Sequence, residues 1–139
     1  MRPGEPKGFL LDTPTLVWFV NGDKALSPDV VALIQHTDAP IYVSAASMFE
    51  LCYKYAQGLV PEAEPLVERF KQVKFLYHFR ELSVSCDAAR LAASFERDSD
   101  VSDPLRNMIA AQAMTEGLVL ITPDDCGDLM GLESLPAAA

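Results

Sequence analysis

Four acidic residues in this chain stand where an open parallel sheet gathers its functional groups. Asp12 ends a short apolar run, FLLDT at 9–13. Asp124 follows a second run, LVLIT at 118–122, by two residues. Glu50 lies just over one turn into a helical stretch that follows a third run, IYVSAAS at 41–47. Asp103 stands before Pro104, at the mouth of a helical pattern that leads into the 118–122 run. In open α/β sheets, ligands bind outside the carboxyl ends of the strands. Asp12 and Asp124 belong at that edge, Glu50 starts close to it, and Asp103 joins if its helix begins on the same side. Carboxylates that converge without a histidine or thiolate select hard cations such as Mg²⁺ or Mn²⁺. The chemistry suited to them is phosphodiester hydrolysis, in which a metal lowers the pKa of bound water and neutralises charge on the phosphate.

Each acid also has a plain structural reading. Asp12 before Thr13-Pro14 caps a following helix, and Asp103 in SDP is a good N-cap. Glu50 sits among apolar residues, where a buried acid needs a partner, and Lys54 four residues on is at the spacing of a helix-face pair. Asp124 and Asp125 suit a turn. No one of them is specific alone; their convergence on one edge carries the functional reading.

The elements that must position these acids alternate short apolar runs with longer helical patterns, which predicts an α/β domain with a mainly parallel sheet. Strands are expected at 9–13, 41–47, 79–85 and 118–122, with a last edge strand near 132–135. Helices are expected at 15–23, broken at Asn21-Gly22, and at 27–37, where Ser27 is N-cap and Pro28 opens the first turn. Further helices are expected at 47–58, at 61–75 with Leu66, Val67, Phe70 and Val73 on the apolar face, at 86–98, and from Asp103-Pro104 to Gly117. Residues 1–8 read as a flexible tail, 9–135 as one domain and 136–139 as a C-terminal tail.

At 139 residues the chain can bury a real core. Its net charge of −9 argues against a wide basic nucleic-acid face, so phosphate would be met only locally, by Lys54, Arg106 and Lys24. No apolar run reaches a membrane span. The three cysteines, Cys52, Cys86 and Cys126, are scattered without CxxC spacing. That argues against a disulfide framework or zinc site. Cys52 and Cys86 are expected as small packing residues in a reducing cytoplasm, and Cys126 in a turn.

The segments FLLDTPTLVWFVNGD, IYVSAASMFELCYK, FRELSVSCDAARLA and SDPLRNMIAAQAMTEGLVLITPDD, in that order and spacing, resemble the PIN-domain ribonucleases. The nearest group is the toxin half of VapBC-type toxin–antitoxin pairs, and the resemblance spans roughly residues 9–125. It implies an α/β/α sandwich of three layers around a parallel sheet. It implies RNA cleavage at an acidic Mg²⁺ or Mn²⁺ site, a homodimer, and inhibition by a cognate antitoxin. By position, Asp12, Glu50 and Asp124 match family acids, and Thr13 matches a hydroxyl lining the site. Asp103 matches the first aspartate of the family's D-P-x-D-R pattern. Lys54 and Thr122 fall beside these acids.

The chain departs from the family where that pattern continues. The second aspartate falls on Arg106, the following arginine on Asn107, and the histidine often found after LLDT on Pro14. A cation that cannot be deprotonated replaces a metal-binding acid. Two arrangements are open. In one, Asp103 serves as third acid and Arg106 turns outward to RNA phosphate. In the other, Arg106 takes the cation's place, pairs with Asp103 or Asp124, and the domain is a weakened nuclease or only a binding module. For a module, the aromatic stretch 48-MFELCYKYAQG offers a partner groove; its plain reading is core and dimer packing. A phosphatase of the haloacid-dehalogenase type is set aside, because Pro14 occupies the place of its second aspartate.

Overall fold

The computed structural model describes residues 6–96, 103–124 and 132–139. Among these residues five strands form one sheet: β1 (Phe9–Leu11), β2 (Ile41–Ser44), β3 (Arg80–Leu82), β4 (Val119–Thr122) and β5 (Ser134–Pro136). All pairings are parallel and the order is β3-β2-β1-β4-β5. The first strand is therefore central, and the chain builds outward from it on one side before crossing to the other. The crevice between β1 and β4 is the reversal point where such sheets bind ligands.

Helices cover both faces, giving the three-layer sandwich. They are α1 (Thr13–Asn21), α2 (Pro28–His36), α3 (Ala45–Ala56), α4 (Glu64–Glu68), α5 (Phe70–Tyr77), α6 (Cys86–Ala93) and α7 (Pro104–Glu116). Alternation along β1 divides the core, since successive strand side chains point to opposite faces. Phe9 and Leu11 pack with Leu16 and Phe19 of α1, Ile34 of α2 and Leu66 of α4. Leu10 points the other way, into Ile109, Ala110 and Ala113 of α7. Five consecutive residues of α7, Ile109 to Ala113, are buried. Three of them are alanines, small enough for the sheet and α6 to lie close on opposite sides of the helix.

The polar member of that run, Gln112, is 1% exposed and fully used. The Ser44 hydroxyl donates to its Oε1, and its amide nitrogen donates to the carbonyl of Ser83 at 3.1 Å and, more weakly, of Leu82 at 3.4 Å. It ties α7 to the ends of β2 and β3. Gln112→Ala takes the acceptor from the buried Ser44 hydroxyl and the donor from two part-buried carbonyls, and opens a small void. We expect a loss of about 2 kcal/mol, read as a lower urea midpoint at unchanged slope.

Several expectations need correction. The helix over 61–75 is three pieces: a 3₁₀ turn at Pro61–Ala63, then α4 and α5, divided at Arg69 (φ −134°, ψ 35°). Pro65 explains the restart within α4, whereas nothing in the local sequence marks the break at Arg69. Cys52 and Cys86 are exposed free thiols rather than packing residues, and Cys126 lies outside the described residues. Gly8, assigned to a tail, is buried; its carbonyl accepts from the Val119 amide, and a Cβ there would meet the Pro40 oxygen at 2.8 Å. The 136–139 segment is docked as well. Ala137 is fully buried and its carbonyl accepts from the Ser27 amide, while the Ala139 amide donates to Ala25. Ser27 precedes α2 as expected but makes no side-chain cap. Among the described residues no helix is long and apolar enough to cross a membrane.

Candidate functional site

The carboxyl edge of β1 is closed by Asp12. Its amide donates to the Ile121 carbonyl of β4 at 3.2 Å, continuing the ladder one residue beyond the strand. Its carboxylate then turns back to cap α1, accepting from the Thr15 amide at 3.1 Å and the Thr15 hydroxyl at 2.6 Å. The same hydroxyl lies 3.0 Å from the Ile121 carbonyl oxygen. The Thr122 hydroxyl is near enough to favour the charged form of the carboxylate. Asp12 is 6% exposed. Burial pushes its carboxyl above the ordinary aspartate range, against the hydrogen bonds from Thr122 and Thr15, which favour the charged form; the charge of Asp124 raises it further. Asp12 is thus both the cap of α1 and a carboxylate held under electrostatic stress.

Around it opens a cavity of about 470 Å³. The four candidate acids line it together with Thr13, Lys54, Arg106, Asn107 and Thr122, whereas Lys24 does not. Thr13 begins α1 and its hydroxyl donates to Ser47 of α3 at 3.0 Å, fixing those two helix starts together. Glu50 and Lys54 face the cavity from one side of α3. Asp103, Arg106 and Asn107 reach it from the start of α7, and Thr122 and Asp124 from the end of β4. The α7 end is held by the Asp103 carboxylate, which accepts from the Arg106 amide at 3.2 Å. Asp125 lies outside the described residues.

Two cations are seated on these acids. Lys54 Nζ donates to Glu50 Oε2 at 2.6 Å. That bond raises the lysine's affinity for its proton, as do the charges of Glu50 and Asp103, so Lys54 stays positive. Arg106 Nε lies 3.3 Å from Asp124 Oδ2, both side chains being partly exposed. Of the two partners the sequence left open, the structure pairs Arg106 with Asp124. An ion pair this exposed contributes at most about 1 kcal/mol.

The donor chemistry of the site is that of a hard-cation site, but the placement is not. Among the described residues no three His, Cys, Asp or Glu side chains come together closely enough to hold an ion. Lys54 and Arg106 occupy oxygens of Glu50 and Asp124, and no described buried polar side-chain atom lacks a partner. As they stand, these residues do not fit a divalent ion.

Sequence reasoning passed over Thr15, Ser47 and Gln112. Thr15 had a readable signal, a hydroxyl three residues after a capping aspartate, and Gln112 a fainter one as the polar residue inside IAAQA, while Ser47 is revealed only by a tertiary contact. Trp18 and Phe95 supply apolar wall, and Glu62 adds an acid. Phe49 and Tyr53, read as core and dimer packing with a partner groove as the alternative, are not core residues: they are exposed on α3, at 62% and 58%. Their rings stack with centroids 6.0 Å apart.

The fold matches solved chains, among them one from a toxin–antitoxin complex from Klebsiella pneumoniae. The chain is 18% identical to one in VapBC2 from Rickettsia felis bound to a promoter DNA fragment, with TM-score 0.65 over 93% of this chain and 98% of that one. It is 21% identical to a chain of DNA-bound VapBC from Salmonella typhimurium, with TM-score 0.65 over 93% and 97%. A chain of FitAcB from Neisseria gonorrhoeae is 21% identical, with TM-score 0.61 over 91% and 96%. At these identities the likeness is one of fold. No curated protein sequence matches. The PIN domain family profile matches residues 9–126, from the first strand to just past Asp124, and on that match the chain belongs to the PIN domain family.

Proposed function

We propose that this chain is an endoribonuclease of the VapC toxin type, acting on RNA phosphodiesters at the acidic cavity and neutralised by a cognate antitoxin in the cytoplasm. One observation carries the reading. Asp12, Glu50, Asp103 and Asp124 come from four separate places in the chain and line one cavity at the carboxyl edge of a PIN-type sheet. Membership of a family whose domains are generally nucleases supports it, as do the complexes its fold resembles. In this reading Asp12 is the acid on which cutting depends, oriented by Thr15 and Thr122. Lys54 and Arg106 hold positive charge at the mouth for the phosphate, and Trp18 and Phe95 exclude water from one wall. Mg²⁺ or Mn²⁺ is the cofactor the reading expects, with uptake limited in the free chain by the two resident cations. A homodimer is also expected. The exposed Phe75 and Leu76 of α5 and the Phe49–Tyr53 pair are apolar surface of the kind that protein copies bury.

The test is cleavage of a mixed RNA pool in Mn²⁺ by the wild type and by Asp12→Asn. The expected result is slow cutting by the wild type and a loss on the order of 100-fold or more in the variant. A second reading, a PIN-like binding module without catalysis, is favoured by the Arg106–Asp124 ion pair. It predicts that both proteins are equally inert while antitoxin binding is intact.

A further inference from the structure

The cavity has an apolar side that its acids do not explain. Val17 and Trp18 line it from α1, and Phe95 lines it from the 3₁₀ turn Ser94–Glu96 that follows α6. Pro14, Val17 and Trp18 stand at i, i+3 and i+4, so they form one strip along α1 that leads away from Asp12. Trp18 is half-buried: it packs against the core and also lines the cavity. Its backbone is held, since its carbonyl accepts from the Asp23 amide at 2.9 Å where α1 ends. The indole is thus presented by a helix capped at both ends, by Asp12 and by Gly22. A sugar–phosphate chain is polar and charged and has no use for such a wall. The cavity, about 470 Å³, is also much larger than a phosphate group.

Charge does not supply the missing affinity. The chain carries a net charge of −9, and the cations that line the cavity, Lys54 and Arg106, are paired with Glu50 and Asp124. So few cations release few counter-ions from a bound nucleic acid. Affinity for a polyanion must then come from a contact that is insensitive to charge. Stacking of a base on an aromatic side chain is such a contact, because every base has a π-face. An indole offers a broad, rigid surface for it. We propose that Trp18 is the base-stacking residue of this cavity: it receives one unpaired nucleobase of the RNA and so selects which phosphodiester enters. This rests on the RNA-directed reading above. Its role is selection and positioning, not chemistry. A base inside a duplex is already stacked on its neighbours, so only an unpaired or splayed-out nucleotide can present a free face to the indole.

The test measures binding rather than turnover. Trp18 is the only tryptophan of the chain, so the tryptophan emission of the protein reports on this one side of the cavity. The wild type is titrated with a short unstructured 2′-O-methyl RNA and, separately, with the same sugar–phosphate chain lacking its bases, each with and without Mg²⁺ in the buffer. A labelled copy of the RNA follows binding independently, by fluorescence anisotropy, to the wild type, Trp18→Phe and Trp18→Leu. Thermal melts confirm that the variants are folded. The expected result is saturable quenching by the RNA and none by the base-free chain. Trp18→Leu is expected to bind the RNA roughly tenfold more weakly, and Trp18→Phe, which keeps an aromatic face, within about threefold of the wild type. If RNA binds the wild type without changing its emission, or if folded Trp18→Leu binds as tightly as the wild type, stacking is overturned and the RNA-directed reading stands. Equal quenching by the base-free chain overturns stacking as well. If Trp18→Leu does not fold, the emission of the wild type decides alone. If no RNA binds the wild type in either buffer, both readings fall.

Discussion

Arg106→Asp is expected to cut RNA on the order of 100-fold faster than the wild type in Mn²⁺. The wild-type guanidinium sits 3.3 Å from an Asp124 oxygen, at the start of α7 and beside the acids that line the cavity. A fixed positive charge there disfavours any cation that needs the same oxygens. The substitution acts twice: it removes the competing cation and adds an oxygen donor. Arg106→Gln removes the competitor without adding the donor, so its rate is expected to fall between the two. The backbone should tolerate either change, because the Asp103 cap uses the amide of residue 106 and not its side chain. Initial rates on a fluorogenic RNA across a Mn²⁺ titration separate the effects. A gain that appears as tighter Mn²⁺ dependence is competition relieved; a gain that persists at saturating Mn²⁺ is the added ligand. If Arg106→Asp is slower than the wild type, Arg106 is a net contributor to cutting, through its contact with phosphate.

Much of the fold could be read locally because the signals are local. The runs at 9–11 and 118–122 are buried on both faces and so are continuously apolar. Pro14, Pro28 and Pro104 mark helix starts, and Gly22 and Gly117 end helices in the left-handed region (φ 62° and 67°). The convergence of Asp12, Glu50, Asp103 and Asp124 was also legible, since each stands at or near a strand end or helix start whose edge the parallel topology dictates. What escaped depends on contacts between distant parts of the chain. The direction of Arg106 is set by Asp124, eighteen positions away and on another element. The break at Arg69 and the exposure of Phe49 and Tyr53 are decided by which helix face meets the sheet. Gln112 did carry a trace in sequence, as the single polar residue inside IAAQA, but its partners lie at the ends of two other strands.

Asp12→Asn is expected to abolish cutting and, at neutral pH, to raise the melting temperature. The first effect follows from the reading that the reaction depends on this carboxylate. The second follows from its surroundings. Burial favours the neutral carboxyl, and Asp124 adds repulsion. The folded protein therefore binds the Asp12 proton more tightly than the unfolded chain does. Its contribution to stability is full below the unfolded aspartate pKa and is lost as pH rises through the higher folded value. Where Asp12 is charged, burial and the charge of Asp124 oppose folding. Asparagine removes that charge and keeps the local structure: it is as good an N-cap as aspartate, and its carbonyl can still accept from Thr15 and Thr122. Each 1 kcal/mol gained should raise the midpoint by roughly 2–8 °C in a domain of this size. The difference in melting temperature between variant and wild type should shrink as the pH is lowered through the raised folded Asp12 value, where the wild-type carboxyl takes up its proton. A variant less stable than the wild type at pH 7 would mean that the hydrogen bonds from Thr15 and Thr122 outweigh burial. Asp12 would then be a structural cap first. Stabilisation with loss of cutting would identify it as a residue kept charged for function at the expense of the fold.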